Sequence, residues 1–343
     1  MQRWFGWLVI AALVTTARAD PGVPAPPVGS APRPEVMASP PGPPGAASPA
    51  PATGAVPKTV AIATTAPVAL DPKDLRTLTD DPVVGKADRI DGDEAKGVVA
   101  FTFDDGPNPD TTPQVIDALE KYDIPATFFI VTQRISGKHG EPGRELLHRE
   151  LDAGFLVGSH SVSHPNLKHA SADKLTKEID ASIKTLAIEA NRTIGLFRPP
   201  YGAIGPSGRV RLKKLGLTEV QWSIDTLDWR SHNEDRLRKK VISMIKKEGG
   251  GVVLMHDVKP ITAKVIALVL DDLEAENCAR LTDNREPILP VSLHYFLKDG
   301  NTARELPEAV KQRTAAYKAG LPQRCAKRPP PSVPETAPKH AAK

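Results

Sequence analysis

The chain has 343 residues, of which 35 are proline and only 16 are aromatic, and its formal net charge is +4. With 40% apolar and 25% charged residues it can bury a full core, and no apolar run after the N-terminal one approaches the length of a membrane-spanning helix. This composition excludes collagen, a coiled coil and a multi-pass membrane protein. Basic residues form no stripe interleaved with aromatic ones, so we expect no nucleic-acid partner.

Residues 1–19 have the pattern of a secretory signal peptide. Arg3 gives a charged start, an apolar stretch runs from Trp4 to Val14, and Ala17-Arg18-Ala19 matches a cleavage site. The alternative is an uncleaved membrane anchor, for which the stretch is short. We therefore expect an exported protein of the periplasm, the cell envelope or the medium. We expect it to be a monomer, with no stable membrane insertion once the leader is removed.

The prolines divide the rest of the chain. Thirteen lie between Pro21 and Lys58, so residues 20–58 are predicted to be an extended, partly polyproline II linker, either a spacer or a stretch without a role. Residues 59–95 could form a cap strand, an extension of the barrel or further linker. Residues 298–343 are predicted to be a C-terminal extension that becomes a disordered, proline-rich tail from Arg328 onward.

Two cysteines, Cys278 and Cys325, are candidates for a disulfide in an exported protein. The bond would close a loop of about 48 residues and stabilise the fold by about 4 kcal/mol on the chain-entropy model. The alternative is a pair of free thiols. Neither cysteine has the spacing of a redox or zinc motif.

From about Gly97 onward, short apolar runs alternate with amphipathic helical stretches. The predicted strands are Val98–Phe103, Ala126–Val131, Phe155–His160, Gly195–Arg198, Glu219–Ile224, Gly251–His256 and Ile288–Phe296. The predicted helices lie near Thr112–Tyr122, Arg144–Ala153, Ala172–Asn191, Ser207–Leu215, Asp235–Glu248 and Thr262–Asn277. This alternation predicts an α/β fold with a parallel sheet of about seven strands that can close into a barrel.

Side chains capable of chemistry follow five of these seven strands. They are Asp104 and Asp105, His160 and His164, Arg198 and Tyr201, Asp225 to Trp229, and His256. Because the catalytic groups of parallel barrels lie at the carboxyl ends of the strands, we expect these residues to form one site.

The spacing of His160 and His164 suggests a metal site, since one helical turn would place both imidazoles on the same side. A carboxylate from the first strand would complete a His-His-Asp set with open positions, typical of a catalytic zinc site. Asp104 and Asp105 point in opposite directions from an extended backbone, so one can bind the metal while the other accepts a proton from water activated there. The alternatives are a solvated histidine pair and a turn built by Asp-Asp-Gly-Pro.

His256, on a separate strand, is the candidate acid, because an imidazolium can protonate a departing amine near neutral pH. Either Asp225 or Asp228 could orient it, and Arg198 could keep the base carboxylate in place and charged. The alternatives are a buried structural histidine and a plain Arg–Asp ion pair.

With these residues in view, residues 96–297 resemble the polysaccharide deacetylases, the NodB-type domain of carbohydrate esterase family 4. All five family motifs occur in order, as Thr102-Phe103-Asp104-Asp105-Gly106, His160-Ser161-x-x-His164, Arg198-Pro199-Pro200-Tyr201, Asp225-x-x-Asp228-Trp229 and Leu254-x-His256. The resemblance implies a distorted (β/α) barrel that removes acetyl groups from N-acetylated sugars with the help of a divalent metal.

The resemblance also implies a role for each motif residue. Asp104 would be the general base, tethered by Arg198, and His256 the general acid, tethered by Asp225. The metal ligands would be Asp105, His160 and His164, and the metal zinc, with cobalt, nickel or manganese as alternatives. The backbone N–H of Tyr201 would help to hold the oxyanion. Substrate would be bound by Trp229 and Leu254, which could otherwise be core residues, and by Asp228.

The function expected from this pattern is an exported, metal-dependent N-deacetylase acting on a polysaccharide that contains N-acetylglucosamine. Peptidoglycan is the first choice of substrate, because a leader and a long linker suit a wall enzyme. Chitin-like oligomers or poly-N-acetylglucosamine come second. An acetylxylan esterase and an inactive carbohydrate-binding module are the remaining alternatives.

Overall fold

The structure, a computed structural model, describes residues 85–328. The predicted signal peptide, the linker, most of residues 59–95 and the proline-rich tail beyond Arg328 lie outside this range. Within the described range, no helix is both long enough and apolar enough to cross a membrane.

Parallel strands alternate with helices through most of the described chain. The strands are β1 (Val98–Asp104), β2 (Ala126–Ile130), β3 (Leu156–Ser159), β4 (Leu196–Phe197), β5 (Thr218–Glu219), β6 (Ile224–Asp225), β7 (Gly251–His256), β8 (Leu289–Pro290), β9 (Lys298–Asp299) and β10 (Thr302–Ala303). The α-helices are α1 (Thr112–Lys121), α2 (Glu141–Asp152), α3 (Ala172–Leu175), α4 (Ala181–Ala190), α5 (Pro206–Leu215), α6 (Glu234–Glu248), α7 (Pro260–Thr282) and α8 (Glu308–Ala326). A π-helical stretch, Thr176–Asp180, joins α3 to α4 inside the single helix that the sequence predicted.

The main sheet has the strand order β5-β4-β3-β2-β1-β7-β6, with every neighbouring pair parallel, and β8 pairs with the start of β1. Only four residues separate β5 from β6, although these strands form its opposite edges. Because an extended residue spans at most about 3.6 Å, the two edges must approach each other and the sheet must curl. The predicted distorted barrel is confirmed, whereas the predicted single strand Glu219–Ile224 is wrong, since that segment crosses from one edge to the other.

Residues just before β1 close part of the seam between the two edges. Ile90 forms a parallel bridge with Val220, and its N–H donates to the Glu219 carbonyl at 2.9 Å. The Gly92 carbonyl accepts the N–H of Val252 in β7 at 3.0 Å. The described part of residues 59–95 therefore extends the barrel, which was one of the three alternatives for this stretch.

Strand β1 shows how the sheet separates two cores. Phe101 and Phe103 point outward and pack against the helix layer, while Val98 and Ala100 point into the barrel. Because side chains alternate along a strand, the next inward positions after Ala100 are Thr102 and Asp104. The interior is thus apolar at the start of the strand and polar where the strand ends.

The C-terminal region contains the elements that the sequence described least well. Of the predicted strand Ile288–Phe296, only β8 is a strand, flanked by the N–H bonds of Leu289 and Val291 to the Gly97 and Val99 carbonyls, and a 3₁₀ turn follows at Leu293–Phe296. Helix α8 was not predicted as an element. Cys278 in α7 and Cys325 in α8 form a disulfide, with Cα atoms 5.4 Å apart, as expected.

Candidate active site

The base and acid candidates lie side by side at the carboxyl end of the barrel. Asp104 ends β1 and His256 ends β7, and the register of the two strands pairs their Cα positions. Both occupy inward positions, because each is an even number of residues from an inward-facing neighbour, Ala100 or Val252. The strand pairing therefore places a carboxylate and an imidazole at the same level of one cavity.

Arg198 follows β4 and is fully buried inside the barrel. Its Nη1 donates to Asp104 Oδ1 at 2.8 Å and to Thr102 Oγ1 at 2.7 Å, and its Nη2 donates to the Gln221 carbonyl at 3.0 Å. The guanidinium also lies over the Phe129 ring, 4.2 Å from its centroid. Burial raises the pKa of Asp104, and the charge and hydrogen bond of Arg198 oppose this rise. Arg198 therefore contacts the predicted base carboxylate, as expected.

The three predicted metal ligands meet beside Asp104. The donor atoms of Asp105, His160 and His164 all lie within 4.8 Å of one another. Asp105 Oδ1 is 3.2 Å from His164 Nε2 and 3.7 Å from His160 Nε2. His160 Nδ1 bonds the Arg198 carbonyl at 2.7 Å, which directs Nε2 toward Asp105. Burial lowers the pKa of His160 to about 3, so its imidazole is neutral and can bind a metal.

Asp105 supplies a direct test of whether this set fits a metal. Its Oδ1 is buried, and it has no hydrogen-bond partner among the described residues. A buried carboxylate oxygen without a partner is costly, and a cation beside it removes that cost. One carboxylate and two imidazoles are also the ligand types of catalytic zinc sites, which leave positions open for water and substrate. The donor set therefore fits a divalent metal.

The structure corrects one assignment, because His256 is held by Asp228 and not by Asp225. Asp228 Oδ1 is 2.7 Å from His256 Nδ1, and its Oδ2 accepts the backbone N–H of His256 at 2.7 Å and the hydroxyl of Thr262 at 2.6 Å. Asp225 instead accepts the N–H of Leu227 at 3.0 Å, in a local turn. The 3₁₀ turn after β6 carries Asp228 back beneath the imidazole, which sequence spacing could not reveal.

The contact with Asp228 sets the charge of His256. Burial acts to lower the pKa of His256, but the hydrogen bond and charge of Asp228, helped by Asp104 and Asp105, raise that pKa to about 9. The imidazole is therefore protonated at neutral pH and has a proton to donate.

One cleft of about 390 Å³ is lined by the base and acid candidates and the three candidate metal ligands, Asp104, His256, Asp105, His160 and His164. The predicted substrate contacts Trp229 and Leu254 form part of its wall, together with Asp225 and Tyr201. Trp229 is half exposed, which is unusual for a core tryptophan and typical of a binding surface. Asp228, predicted to bind substrate, is buried beneath His256 and does not line the cleft.

Two residues of the cleft, Trp222 and Lys259, were not predicted. Lys259 follows β7 by three residues and precedes α7, and its ammonium forms no ion pair with any residue in the described range. A lysine three residues beyond the predicted acid was a usable signal. No sequence signal indicated Trp222, because it lies in the segment that we had predicted to be the interior of a strand.

The loops of the site have an unusual backbone. Nine residues other than glycine have positive φ in the described range, and more than half of them lie in these loops, namely Asp105, Ser161, His164, Tyr201 and Leu227. Each such residue costs on the order of 1 kcal/mol or more and persists only where its surroundings hold it. The strain is thus concentrated where the candidate metal ligands and the cleft are formed.

Comparisons with known proteins point to one enzyme family. A family model described as polysaccharide deacetylase matches residues 91–220. A chitooligosaccharide deacetylase from Bradyrhizobium is 32% identical over 163 residues, which are 47% of this chain and 71% of that protein. The chain belongs to the polysaccharide deacetylase family.

The chain spans only about a third of the length of the first peptidoglycan deacetylase that it matches. The peptidoglycan-N-acetylglucosamine deacetylase PgdA of Listeria monocytogenes is 35% identical over 178 residues, which are 52% of this chain but only 36% of that protein. A crystal structure of the Bc1960 peptidoglycan N-acetylglucosamine deacetylase shares the fold, with a TM-score of 0.52 and 26% identity over 63% of this chain and 94% of that one.

Proposed function

We propose that this polysaccharide deacetylase is an exported, metal-dependent hydrolase that removes acetyl groups from a polysaccharide containing N-acetylglucosamine. The observation that carries the proposal is the content of one cleft. A carboxylate bonded to Arg198 and a protonated imidazole bonded to Asp228 lie beside a metal-binding set. Amide hydrolysis needs these three components, namely a base, an acid and a group that stabilises the oxyanion.

Asp104 acts as the general base and takes a proton from the attacking water. Its second carboxylate oxygen, Oδ2, is free of Arg198 and lies 3.6 Å from His160 Nε2, next to the proposed metal ligands. Burial raises the pKa of Asp104, and the charge and hydrogen bond of Arg198 oppose this rise and so favour the carboxylate form. Thr102 and the Gln221 carbonyl fix the guanidinium in turn.

His256 acts as the general acid and protonates the departing nitrogen of the sugar. Its Nδ1 is bonded to Asp228, so its Nε2 carries the proton that is delivered. An amine is a poor leaving group unless it is protonated, and an imidazolium whose pKa is about 9 remains charged through the neutral range. The acid and the base are separate groups on adjacent strands, as the reaction requires.

Asp105, His160 and His164 would hold the divalent metal, with zinc as first candidate and cobalt, nickel or manganese as alternatives, and the ion would polarise the acetyl carbonyl and lower the pKa of nearby water. The backbone N–H of Tyr201 is the proposed donor to the oxyanion, and the left-handed conformation of this residue, with φ of 61°, sets the direction of its peptide groups. Trp229 and Leu254 would enclose the acetyl methyl group.

Peptidoglycan is the proposed substrate, and chitooligosaccharides are the second candidate. The name of the Listeria relative supports peptidoglycan, and the name of the Bradyrhizobium relative supports chitooligosaccharides. Lys259 favours the first, because this half-buried lysine lines the cleft and has no ion-pair partner among the described residues. Peptidoglycan carries free carboxylates on its stem peptides, and on those lactyl groups that bear no peptide, whereas chitin is neutral. Export rests on the leader-like sequence of residues 1–19.

The test is an acetate-release assay of the purified chain over peptidoglycan, chitooligosaccharides and acetylxylan. We expect release from peptidoglycan, at a higher kcat/KM than from chitooligosaccharides. Faster release from the chitooligosaccharides would select the second candidate, and release from acetylxylan alone would make the chain an esterase. No release from any of the three would leave a carbohydrate-binding module and overturn the proposal.

A further inference from the structure

The loop between the two histidine ligands has a backbone that needs support. Ser161 and His164 have φ of 71° and 61°, a backbone conformation that residues other than glycine adopt only at a cost in free energy. Within the loop, the His164 N–H donates to Ser161 Oγ at 3.0 Å, and the Ser161 N–H donates to Ser159 Oγ at 3.2 Å. The Ser161 and Val162 carbonyls accept the N–H groups of Thr132 and Gln133 at 3.1 and 3.0 Å. The N–H groups of Val162 and Ser163 and the Ser163 hydroxyl are left to be held by another element.

Glu178 provides that support from outside the loop. Its Oε2 accepts the backbone N–H of Val162 at 3.1 Å and that of Ser163 at 3.0 Å, and its Oε1 accepts the Ser163 hydroxyl at 2.7 Å. One carboxylate thus satisfies every donor of the two middle residues. Hydrogen bonds to a charged acceptor are about twice as strong as neutral ones.

The helix that carries Glu178 departs from α-helical geometry at this residue. Glu178 lies within the π-helical stretch Thr176–Asp180, and π-helical turns are rare and occur frequently at functional sites. Arg211 of α5 fixes this stretch, because its Nε donates to Asp180 Oδ1 at 2.8 Å and its Nη2 donates to Thr176 Oγ1 at 3.3 Å. The carboxylate therefore projects from an anchored turn.

We propose that Glu178 is a positioning residue for the metal ligands, a role outside the five motifs. It acts through the loop backbone, since it fixes the residues between His160 and His164 and so the direction of both imidazoles. The inference rests on the proposed metal site. Partners that orient ligands indirectly typically change metal affinity by about 10- to 100-fold when they are removed.

The test measures zinc affinity and needs no substrate. The full chain is stripped of metal, and the zinc dissociation constant is determined by competition with a chromophoric chelator for the wild type, Glu178→Ala and Glu178→Gln. Glu189→Gln, on the same helix but paired with Arg144, is the matched control. Circular dichroism and thermal unfolding of the metal-free proteins check that each variant folds.

We expect the dissociation constant to rise about 10- to 100-fold in Glu178→Ala and about 3- to 10-fold in Glu178→Gln, which keeps one acceptor oxygen. Glu189→Gln should match the wild type. A Glu178→Ala protein that loses stability but keeps its zinc affinity would show a merely structural role and overturn the inference. If that variant does not fold, an unchanged affinity in Glu178→Gln would overturn it. A wild-type chain that binds no zinc would overturn the metal site itself.

Discussion

Asp104 and Asp105 are neighbours in the chain, but they belong to two parts of the site that are built differently. The inner wall, consisting of Asp104, Arg198, His256 and Asp228, uses strand ends and buried side chains with direct hydrogen bonds. The ligand loops, which carry Asp105 and residues 160–164, use positive φ and hydrogen bonds to the backbone. Strand alternation is enough to direct the proposed base and acid into one cavity, whereas the proposed metal ligands converge only because the chain leaves the strand geometry.

The largest effect should come from removing the metal, which affects the ligand loops and leaves the inner wall in place. We expect exhaustive chelation to abolish acetate release, because the loss of the metal removes stabilisation of the oxyanion. Far-ultraviolet circular dichroism should be unchanged, and added zinc or cobalt should restore the rate. Full activity after chelation would mean that the loops do not hold a required metal.

Asp228→Asn should damage the inner wall and leave the ligand loops intact. The substitution removes the charge that raises the pKa of His256 to about 9, so this pKa should fall toward the ordinary value of about 6.5. His256 must be protonated to act as an acid, so the alkaline limb of the profile of kcat/KM against pH should move to lower pH. We expect the rate at neutral pH to fall by about 100-fold.

Asp225→Asn is the matched control for this prediction, since Asp225 lines the cleft but does not bond His256. Its alkaline limb should stay near that of the wild type. If Asp225→Asn moves the limb and Asp228→Asn does not, the sequence-based tether was right and the assignment from the structure is wrong.

A smaller effect, on stability, is expected from replacing Thr102, which lies two residues before Asp104 on β1 and points into the barrel. Its hydroxyl accepts from Arg198 and donates to the Val253 carbonyl at 2.6 Å. Thr102→Val leaves both groups without this partner, so the free energy of unfolding should fall by about 1–3 kcal/mol. Denaturant unfolding measures it, with the exposed Thr302→Val as control, which should change by less than about 0.5 kcal/mol.

The smallest effect should come from Lys259, which borders the cleft and belongs to neither part. Lys259→Gln should reduce kcat/KM on peptidoglycan by about 3- to 10-fold, the range of one partly screened charge pair, and should change the value on chitooligosaccharides little. The control is Lys264→Gln, an exposed lysine that is paired with Glu234. Equal losses on both substrates would remove the argument for an anionic polymer.

Sequence patterns predicted that the chemically capable side chains would meet in one site, because groups at the carboxyl ends of parallel strands lie at the same edge of the sheet. The register that pairs Asp104 with His256 was not predicted, since alternation alone does not fix it. The tether of His256 could not be predicted, because Asp225 ends β6 and Asp228 lies only three residues later. The backbone between them, with Leu227 at a φ of 56°, decides which carboxylate reaches the imidazole.

Other parts depended on contacts that sequence spacing does not encode. Segment 219–224 is apolar enough for a strand, yet the curl of the sheet makes it a crossing between two edges. Glu178 lies 14 residues beyond His164 in a helix with no motif, and only the π-helical stretch brings it to the loop. Helix α8 was missed because its sequence is polar and contains Pro322, while its burial depends on a few residues such as Tyr317.

The measurement that tests the division of roles most directly is made on Asp104→Asn, with zinc content and acetate release determined on the same sample. The exposed Asp110→Asn serves as the control. We predict about one zinc per chain in both proteins, because Asp104 is not a ligand, and acetate release from peptidoglycan only in the control. Release at the control rate from Asp104→Asn would contradict its role as base, and loss of zinc from that variant would contradict the separation of the inner wall from the ligand loops.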